Sequence, residues 1–599
     1  MTLTHRWKLM VQSFSVTAAI LVTSSFGLAQ QGVDSAVKAG GTRSVRGRVV
    51  GEGGKPVAGA RVRATFIQSA GSFVSDVEAI SDIEGAFEMR EFPAGVATLR
   101  IVAPSLVVVD GIPGNGVCAG DVLTIRMARG ASIAGRVVDE EGKPLTGLHV
   151  TPELVLDERG VQPASGDIPY SGGLVDDRGE YRLFGLVAGN YVVSAGPQKW
   201  DSDRPEYLSD RSPTYYPSAD RSSAARITAS LGGEVGKIDI TFRGSAGHRV
   251  SGSIRGSVTP NSGWTRVDLY RPDDSEPARI AAVRSLSGDL QFFLDGVEDG
   301  DYELQGSASG SGGDQVVSDR LPVRVRGADV AGLTLTMVET GRIPGRVEFA
   351  ADTKDLACKE RDTEASRRTG GVTDMVVGYR GVAPKLQMPN WTGIGAEGRF
   401  VASSLSGTRY RLWIEFADED VFLVRCDTES SPTSTARAGS SDSAGTPVQP
   451  NVSSPVARDG VSVVRGKSVD GVRFVVARGA ARVRGRVAPA KEGKPLPSRA
   501  RVCLVPADPK QKDDVVHYYE IDVERDGTFD IRNVAPGEYL VATRVFPNDD
   551  RPDLEILPAA WDPKERAALR TAAERLAVRV TLSPCQRLES AVITIVSTP

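Results

Sequence analysis

The stretch "RGRVVGEGGKPVAGARV", from Arg46 to Val62, is the main indication of the fold, because close copies of it recur further along the chain. "AGRVVDEEGKPLTGLHV" runs from Ala134 to Val150, and "RGRVAPAKEGKPLPSRARV" runs from Arg484 to Val502. A pattern that recurs in this way is typical of a repeated structural unit, whereas a catalytic motif usually occurs once. We therefore interpret the stretch as the opening of a repeated module.

The opening strand of this module alternates between apolar and charged positions. Val45, Gly47 and Val49 take one face, and Arg46 and Arg48 take the other. A period of two with one apolar face is typical of a half-buried strand. We interpret the arginine face as a solvated surface whose charge discourages edge-to-edge pairing, with a ligand-binding surface as the alternative. The Gly-Lys-Pro that follows predicts a turn into a second alternating strand.

A second signature, a glycine followed two residues later by an aromatic residue, recurs along the chain. This pattern predicts a hairpin turn whose aromatic ring enters the core from the next strand. These rings belong to Phe87, Tyr181, Phe400 and Phe529. A later turn leads into a strand that places a tyrosine on the buried side. These tyrosines are Tyr191, Tyr302, Tyr410 and Tyr539.

The number of modules is inferred from the recurring opening glycine. This glycine stands at Gly47, Gly135, Gly252, Gly345 and Gly485, which predicts five modules. Short strands, frequent turns and almost no helical period indicate an all-β tandem array of antiparallel, Greek-key β-sandwiches. The predicted ranges are 44–130 for module 1, 131–246 for module 2, 247–340 for module 3, 341–480 for module 4 and 481–599 for module 5. Short linkers predict a semi-rigid string of modules.

Two segments are expected to depart from the sandwich pattern. Residues 428–458 are rich in Ser, Thr, Pro, Ala and Gly, which predicts a flexible, disordered insertion in module 4. Near the C-terminus, Asp562 followed by Pro563 predicts the start of a short helix that packs on module 5.

The N-terminus has the pattern of a secretory signal peptide. A basic start with Arg6 and Lys8 precedes an apolar run, and small residues up to Ala29 mark a cleavage point, so residues 1–29 are the predicted signal. A membrane anchor is the alternative, but the run is short for a bilayer span. No later stretch is long and apolar enough to span a membrane. We therefore expect a mature chain that is secreted or periplasmic.

The length of the chain predicts several domains, and its charge argues against one class of partner. The chain of 599 residues is too long for a single core, so several domains are expected. Lys and Arg together number 72 and Asp and Glu number 76, which gives a net charge of −4. This balance argues against a nucleic-acid partner, because nucleic-acid binders carry a basic excess.

The cysteines are interpreted as disulfide candidates because the expected compartment is oxidising. They stand at Cys118, Cys358, Cys426, Cys503 and Cys585, and no CxxC pair supports a zinc ribbon. The hypothetical pairings Cys358–Cys426 and Cys503–Cys585 each lie inside one module. Cys118 is then free or bonded to another molecule.

The passages "GRVVDEEGKPLTGLHV" and "DDRGEYRLFGLVAGNYVVSAGP" of module 2 resemble the carboxypeptidase regulatory-like domains of secreted bacterial proteins. Those domains are similar to the transthyretin-like (prealbumin-like) accessory domain of metallocarboxypeptidases and to starch-binding-type sandwiches. Modules 1, 2 and 5 carry the resemblance, whereas modules 3 and 4 lack Gly-Lys-Pro. The resemblance implies non-catalytic modules that bind carbohydrate or protein.

One candidate metal site is the pair His517 and Glu520, which has the His-x-x-Glu spacing of zinc carboxypeptidases. We place this pair on a strand, where residues three apart point to opposite faces and cannot chelate one ion. His149 and His248 have no nucleophile motif beside them. Acidic turns such as Asp176-Asp177 are interpreted as solvated, with calcium binding as the alternative. We expect no catalytic residue, no metal site and no cofactor.

One aromatic segment is a candidate carbohydrate-binding site, because flat rings beside polar side chains suit a sugar. Its residues are Trp200, Tyr207, Tyr215 and Tyr216. The alternative is that these rings cover the core beneath a long loop. Trp264, Trp391 and Trp561 stand apart in the sequence and predict no second platform.

Taken together, these patterns predict a non-catalytic, extracytoplasmic binding or scaffold protein, which is not an enzyme. Its expected partners are carbohydrates or surface and secreted proteins. One alternative is a carbohydrate-binding module protein with a specific glycan ligand. Another is an accessory subunit of a secreted peptidase. An intrinsic enzyme is the least supported class, because no acid, base, nucleophile and metal ligand converge in the sequence.

Overall fold

The structure is a computed structural model. It describes residues 44–67, 73–113, 116–157, 173–196, 211–218, 220–244, 247–256, 265–272, 279–280, 282–286, 289–309, 315–350, 358, 371–382, 389–428, 455–469, 471–489, 496–497, 499–524, 526–546 and 556–594. The predicted signal peptide lies outside these residues. Within them, no helix is both long enough and apolar enough to cross a bilayer.

Module 1 is a sandwich of two sheets. Its strands are β1 (Val45–Val50), β2 (Arg61–Ile67), β3 (Phe73–Ile80), β4 (Ala86–Met89), β5 (Ala97–Val102), β6 (Leu106–Asp110) and β7 (Val122–Arg129). The sheets have the strand orders β4-β1-β7-β6 and β3-β2-β5. Alternate residues of both sheets face the shared core, so the predicted period of two is observed.

Module 2 repeats the plan with shorter closing strands. Its strands are β8 (Ala131–Val138), β9 (His149–Asp157), β10 (Gly173–Leu174), β11 (Glu180–Leu186), β12 (Gly189–Gly196), β13 (Thr214–Tyr215), β14 (Ile227–Ala229), β15 (Glu234–Val235) and β16 (Ile240–Thr241). One sheet has the order β10-β9-β12-β13, and the other places β8 between β11 and β15.

In module 3 the described strands join into one continuous sheet. They are β17 (His248–Gly256), β18 (Thr265–Tyr270), β19 (Arg279–Ile280), β20 (Ala282–Leu286), β21 (Asp289–Val297), β22 (Gly300–Ser309), β23 (Gln315–Val317), β24 (Leu321–Val325) and β25 (Val330–Glu339). The junction is β23, which pairs with β22 on one side and with β25 on the other.

Module 4 is again a sandwich of two sheets. Its elements are β26 (Gly341–Phe349), β27 (Met375–Gly381), β28 (Asn390–Gly393), β29 (Arg399–Leu405), β30 (Arg409–Phe416), β31 (Val421–Thr428), helix α1 (Pro455–Asp459), β32 (Val461–Ser462) and β33 (Val472–Arg478). The sheets have the orders β29-β26-β33-β31 and β28-β27-β30-β32.

Module 5 adds a helix to its sandwich. Its elements are β34 (Ala481–Ala488), β35 (Ala500–Pro506), β36 (Tyr519–Asp522), β37 (Thr528–Val534), β38 (Gly537–Val545), helix α2 (Pro563–Leu576), β39 (Arg579–Leu582) and β40 (Arg587–Thr594). Asp562 caps α2, as its sequence predicts, by accepting hydrogen bonds from the backbone N–H groups of Lys564 and Glu565. Leu569 and Ala573 bury against β35 and β38.

The predicted all-β tandem array of β-sandwich modules is confirmed, but the predicted antiparallel pairing needs correction. The sheets are mixed, because each opening strand pairs parallel with the closing strand of its own module. The parallel pairs are β1 with β7, β8 with β15 and β16, β17 with β25, β26 with β33, and β34 with β40. A parallel pair needs a long connection, and here the rest of the module provides it.

The opening glycines pair with the aromatic residues of the second signature. Gly345 lies directly opposite Phe400, and Gly485 lies opposite Phe529 in the same way. A Cβ atom on Gly345 would stand 2.2 Å from Phe400 Cζ and 2.4 Å from the carbonyl oxygen of Val472 on β33. The glycine is therefore required by a ring on one side and a parallel backbone on the other.

Three of the four predicted buried tyrosines make the same type of hydrogen bond. The hydroxyl of Tyr191 donates to the carbonyl of Val187, four residues earlier, at 2.8 Å. Tyr302 and Tyr539 make the same bond to the carbonyls four residues before them. This arrangement is a tyrosine corner, which ties a strand to the turn that precedes it.

Removing one such hydroxyl tests this role. We expect Tyr191→Phe to lower the free energy of unfolding by about 1 kcal/mol, because it leaves the Val187 carbonyl without its donor. Tyr215→Phe is the matched control in the same module, since the Tyr215 hydroxyl makes no hydrogen bond to any described residue. Urea denaturation compares the two variants, and equal losses of stability would contradict the assignment.

Two predictions about module 4 need correction. Residues 455–458 belong to helix α1 and are not part of a disordered insertion, because Val456 and Ala457 bury in the core of the module. The stretch 429–454 lies outside the described residues. The predicted disulfide Cys358–Cys426 is also wrong, since Cys426 is a buried thiol in that core.

The disulfide of the structure links two modules. Cys358 of module 4 is bonded to Cys585 of module 5, 227 residues further along the chain. The predicted Cys503–Cys585 pairing is therefore wrong, and Cys503 is a buried thiol beneath helix α2. Burial raises the pKa of both the Cys426 and the Cys503 thiols, which disfavours their reactive thiolate forms.

Contacts between modules are not limited to neighbours in sequence. Val96 and Cys118 of module 1 form an apolar cluster with Val376 and Ala417 of module 4. Cys118 is completely buried as a thiol in this cluster, so it is not available for a bond to another molecule. The predicted semi-rigid string of modules therefore needs correction, because module 1 also packs against module 4.

Candidate binding surface at the junction of modules 1, 4 and 5

The two described residues of the predicted aromatic segment face inward. Tyr215 is buried, and Tyr216 is partly buried against the core of module 2. Burial also raises the pKa of Tyr215 to about 12. Trp200 and Tyr207 lie outside the described residues. For the described pair, the packing alternative accounts for the rings better than a carbohydrate platform does.

The structure places the two residues of the His-x-x-Glu pair on different elements. His517 lies in a 3-10 turn, Val515–His517, rather than on the predicted strand, and its Nδ1 is 2.7 Å from the Asp514 carboxylate. Glu520 lies on β36 and pairs with Arg501 and Arg544. The His517 and Glu520 side chains therefore interact with different partners. No cluster of His, Cys, Asp and Glu in the described part of the chain is placed to hold a metal ion.

The remaining predicted polar features are structural. The Arg136 and Arg46 side chains on the outer faces of β8 and β1 pair with Glu180 and Glu88 on the neighbouring strands, as expected for a solvated face. Asp176 accepts hydrogen bonds from the backbone N–H groups of Arg178 and Glu180, so it stabilises its own turn.

Three tryptophans that are far apart in the sequence meet on module 4. Trp391 on β28 and Trp413 on β30 flank Gly378 of the central strand β27. Their ring centroids are 6.4 Å apart, in an edge-to-face arrangement. The centroid of Trp561, from module 5, is 5.8 Å from that of Trp413. Trp391 and Trp561, which are predicted to form no second platform, thus both pack against the Trp413 ring.

The strand pattern explains why these rings lie outside the core. On β30, Leu412, Ile414 and Phe416 face the interior of the sandwich, so Trp413 and Glu415 face outward. Gly378 gives the indole its space, because a Cβ atom there would lie 2.1 Å from Trp413 Cε2. In the sequence, the alternation along "RLWIEF" indicates that Trp413 and Glu415 face away from the core.

Glu415 ties the two tryptophans of module 4 together. The indole N–H groups of Trp391 and Trp413 donate to the same carboxylate oxygen, Glu415 Oε1, at 2.9 and 2.8 Å. The other oxygen, Oε2, makes no hydrogen bond to any described residue. We name Trp391, Trp413, Glu415 and Trp561 the tryptophan surface.

Module 5 encloses one side of the tryptophan surface. Trp561 ends a 3-10 turn, Ala559–Trp561, immediately before helix α2. Its carbonyl accepts a hydrogen bond of 2.7 Å from Arg411 of β30, whose guanidinium lies 5.9 Å from the Trp561 ring centroid. Arg411 also donates to the carbonyls of Ala457 and Arg458. Arg411 therefore holds helix α1, β30 and module 5 together.

Module 1 lies at the other side. Its strand β2 contacts β28, the edge strand that carries Trp391. The apolar cluster of Val96, Cys118, Val376 and Ala417 closes the same sheet face beyond Glu415. The tryptophan surface is therefore bounded by three modules.

Comparisons with known proteins add no family assignment. No family model matches the chain, and no curated protein matches it. The TIE protein of Bacillus anthracis is 11% identical, with 64% of this chain and 72% of that chain covered at a TM-score of 0.13. A minor pilin of Streptococcus agalactiae is 14% identical, with 33% and 94% covered at a TM-score of 0.18. A streptococcal ancillary pilin is 12% identical, with 50% and 99% covered at 0.16. These TM-scores support no functional argument.

Proposed function

We propose that the chain acts outside the cytoplasm as a non-catalytic scaffold that presents a binding surface in a fixed position. The proposal agrees with the function implied by the resemblance to carboxypeptidase regulatory-like domains. Its main support is the bond between Cys358 and Cys585, which joins modules 4 and 5. Disulfides persist in oxidising compartments and are rare in the cytosol.

Packing between the same two modules supports a rigid scaffold. Val515 and Ala560 of module 5 belong to the hydrophobic core of module 4. Such a shared core resists hinge motion, since separating the modules exposes apolar surface to water.

Polar contacts reinforce this junction. The Asn533 side-chain amide donates to the carbonyls of Asp418 and Val421, at 2.7 Å each. Glu419 lies 3.1 Å from both Arg482 and Arg532 of module 5. Together with the disulfide, these contacts favour a fixed relation between modules 4 and 5 over independent binding units.

Cell fractionation tests the location outside the cytoplasm that this function requires. We expect the full chain, expressed in a bacterial host, to be recovered outside the cytoplasm without residues 1–29 and with Cys358 and Cys585 in one cross-linked peptide. Intact-mass measurement detects the loss of residues 1–29, and non-reducing peptide mapping detects the cross-linked peptide. A full-length chain in the cytoplasm with both thiols reduced would contradict the proposal.

A further inference from the structure

We infer that the tryptophan surface binds a neutral carbohydrate, with Trp391 as the stacking ring and Glu415 Oε2 as the acceptor of a sugar hydroxyl. This inference rests on the proposed binding function and names the ligand class and the site. It differs from the aromatic segment around Tyr215, which belongs to another module.

Trp391 is exposed at the edge of the module 4 sheet. This side chain lies on the edge strand β28, on the outer face of the sheet, and 37% of the residue is exposed. The module already has a full core on the other face of that sheet, which includes Val377 and Ile414. An indole offers a flat apolar face, and here the ring is held in place by its edge-to-face contact with Trp413 and by the Glu415 carboxylate.

The Glu415 carboxylate is fixed beside this ring. Two indole donors hold Glu415 Oε1, so the side chain has already lost its rotational freedom before a ligand arrives. Its Oε2 remains able to accept a hydrogen bond, and bonds to a charged acceptor are stronger than those between neutral groups. A flat apolar ring beside a fixed acceptor matches a sugar, which combines a face of C–H groups with an edge of hydroxyls. A purely apolar partner would leave this acceptor desolvated and unpaired.

The sheet face also carries a balance of opposite charges. Arg380 and Arg411 lie opposite each other on β27 and β30 and share this face with Glu415. They offset the negative charge of Glu415, which disfavours a cationic ligand. Arg411 donates three of its five N–H groups to backbone carbonyls, which leaves few of its donors for an anionic ligand. A neutral, hydroxyl-rich ligand fits this balance best.

The tryptophan surface lies at a boundary between modules. Ligand sites occur preferentially at domain boundaries, where aromatic side chains and a few fixed polar groups meet. Here β2 of module 1 and Trp561 of module 5 flank the module 4 sheet. The disulfide and the shared core of modules 4 and 5 fix one of these walls before a ligand binds.

The test uses the full mature chain and four probes: maltoheptaose, cellohexaose, chitohexaose and an oligogalacturonate as the acidic control. Calorimetry and tryptophan fluorescence measure binding. We expect at least one neutral oligosaccharide to bind and to change the fluorescence. Trp391→Ala should weaken its binding by at least about tenfold, as the loss of a central aromatic anchor does. Glu415→Gln should weaken it by about tenfold, since it replaces the charged acceptor.

Phe184→Ala is the matched control, because it removes an exposed ring (47% exposed) from module 2 and should leave the affinity unchanged. Circular dichroism and the Cys358–Cys585 peptide verify that each variant is folded. Any of the following results would overturn the inference: no binding of any neutral probe, binding that Trp391→Ala leaves unchanged, preference for the acidic probe, or a protein partner cross-linked at Trp391 in place of a sugar. Each of these results leaves the fractionation test intact, so failure of the site is distinguishable from failure of the proposed function.

Discussion

Gly345→Ala is expected to destabilise module 4 by about 3 kcal/mol, at the upper end of the range for overpacking a filled core. The new methyl group would stand 2.2 Å from the Phe400 ring and 2.4 Å from the Val472 carbonyl oxygen. The ring is almost fully buried, and the carbonyl belongs to the neighbouring strand of the same sheet. Neither neighbour can withdraw without separating β26 from β29 or from β33.

Gly395→Ala is the control for this substitution. It lies in the same module, and the nearest atom to its added Cβ is the Arg399 carbonyl oxygen at 3.5 Å, an ordinary contact distance. Thermal unfolding followed by calorimetry compares the two variants. A loss of stability for Gly395→Ala as large as that for Gly345→Ala would show that the effect is not specific to the opening glycine.

Removal of the inter-module disulfide is expected to have the second large effect. The Cys358→Ala/Cys585→Ala double variant should lose about 2–5 kcal/mol, because the bond closes a long loop and restricts the unfolded chain. The loss should appear as a lower melting temperature for the transition that includes modules 4 and 5. Differential scanning calorimetry measures it.

A reducing agent provides the internal control for the disulfide. It should lower the melting temperature of the natural chain toward that of the double variant, and it should leave the double variant unchanged. Peptide mapping separates this bond from the pairings Cys358–Cys426 and Cys503–Cys585. Recovery of either of those cross-linked peptides from the natural chain would contradict the structure.

The tryptophan surface marks where prediction from the sequence failed. Trp391 and Trp413 are brought side by side by Gly378, which lies on a different strand from both of them. Trp561 reaches them only because module 5 packs on module 4. Alternation along β30 indicates which residues face outward, but it contains no information about which neighbouring strand or module covers them.

The repeated β-sandwich is predictable from the sequence. The alternation of the opening strand, the hairpin turn of the second signature and the hydrogen bond of the buried tyrosine act over a few residues, through turn geometry and through alternation between two faces. The opening glycine recurs in the sequence, but the ring and the parallel backbone that require it lie on strands far along the chain. The parallel pairing of opening and closing strands, the Cys358–Cys585 bond, the contact between modules 1 and 4, and the tryptophan surface are visible only in the tertiary structure. These features join residues that are distant along the chain. Their formation depends on how whole modules pack, and no local pattern records that packing.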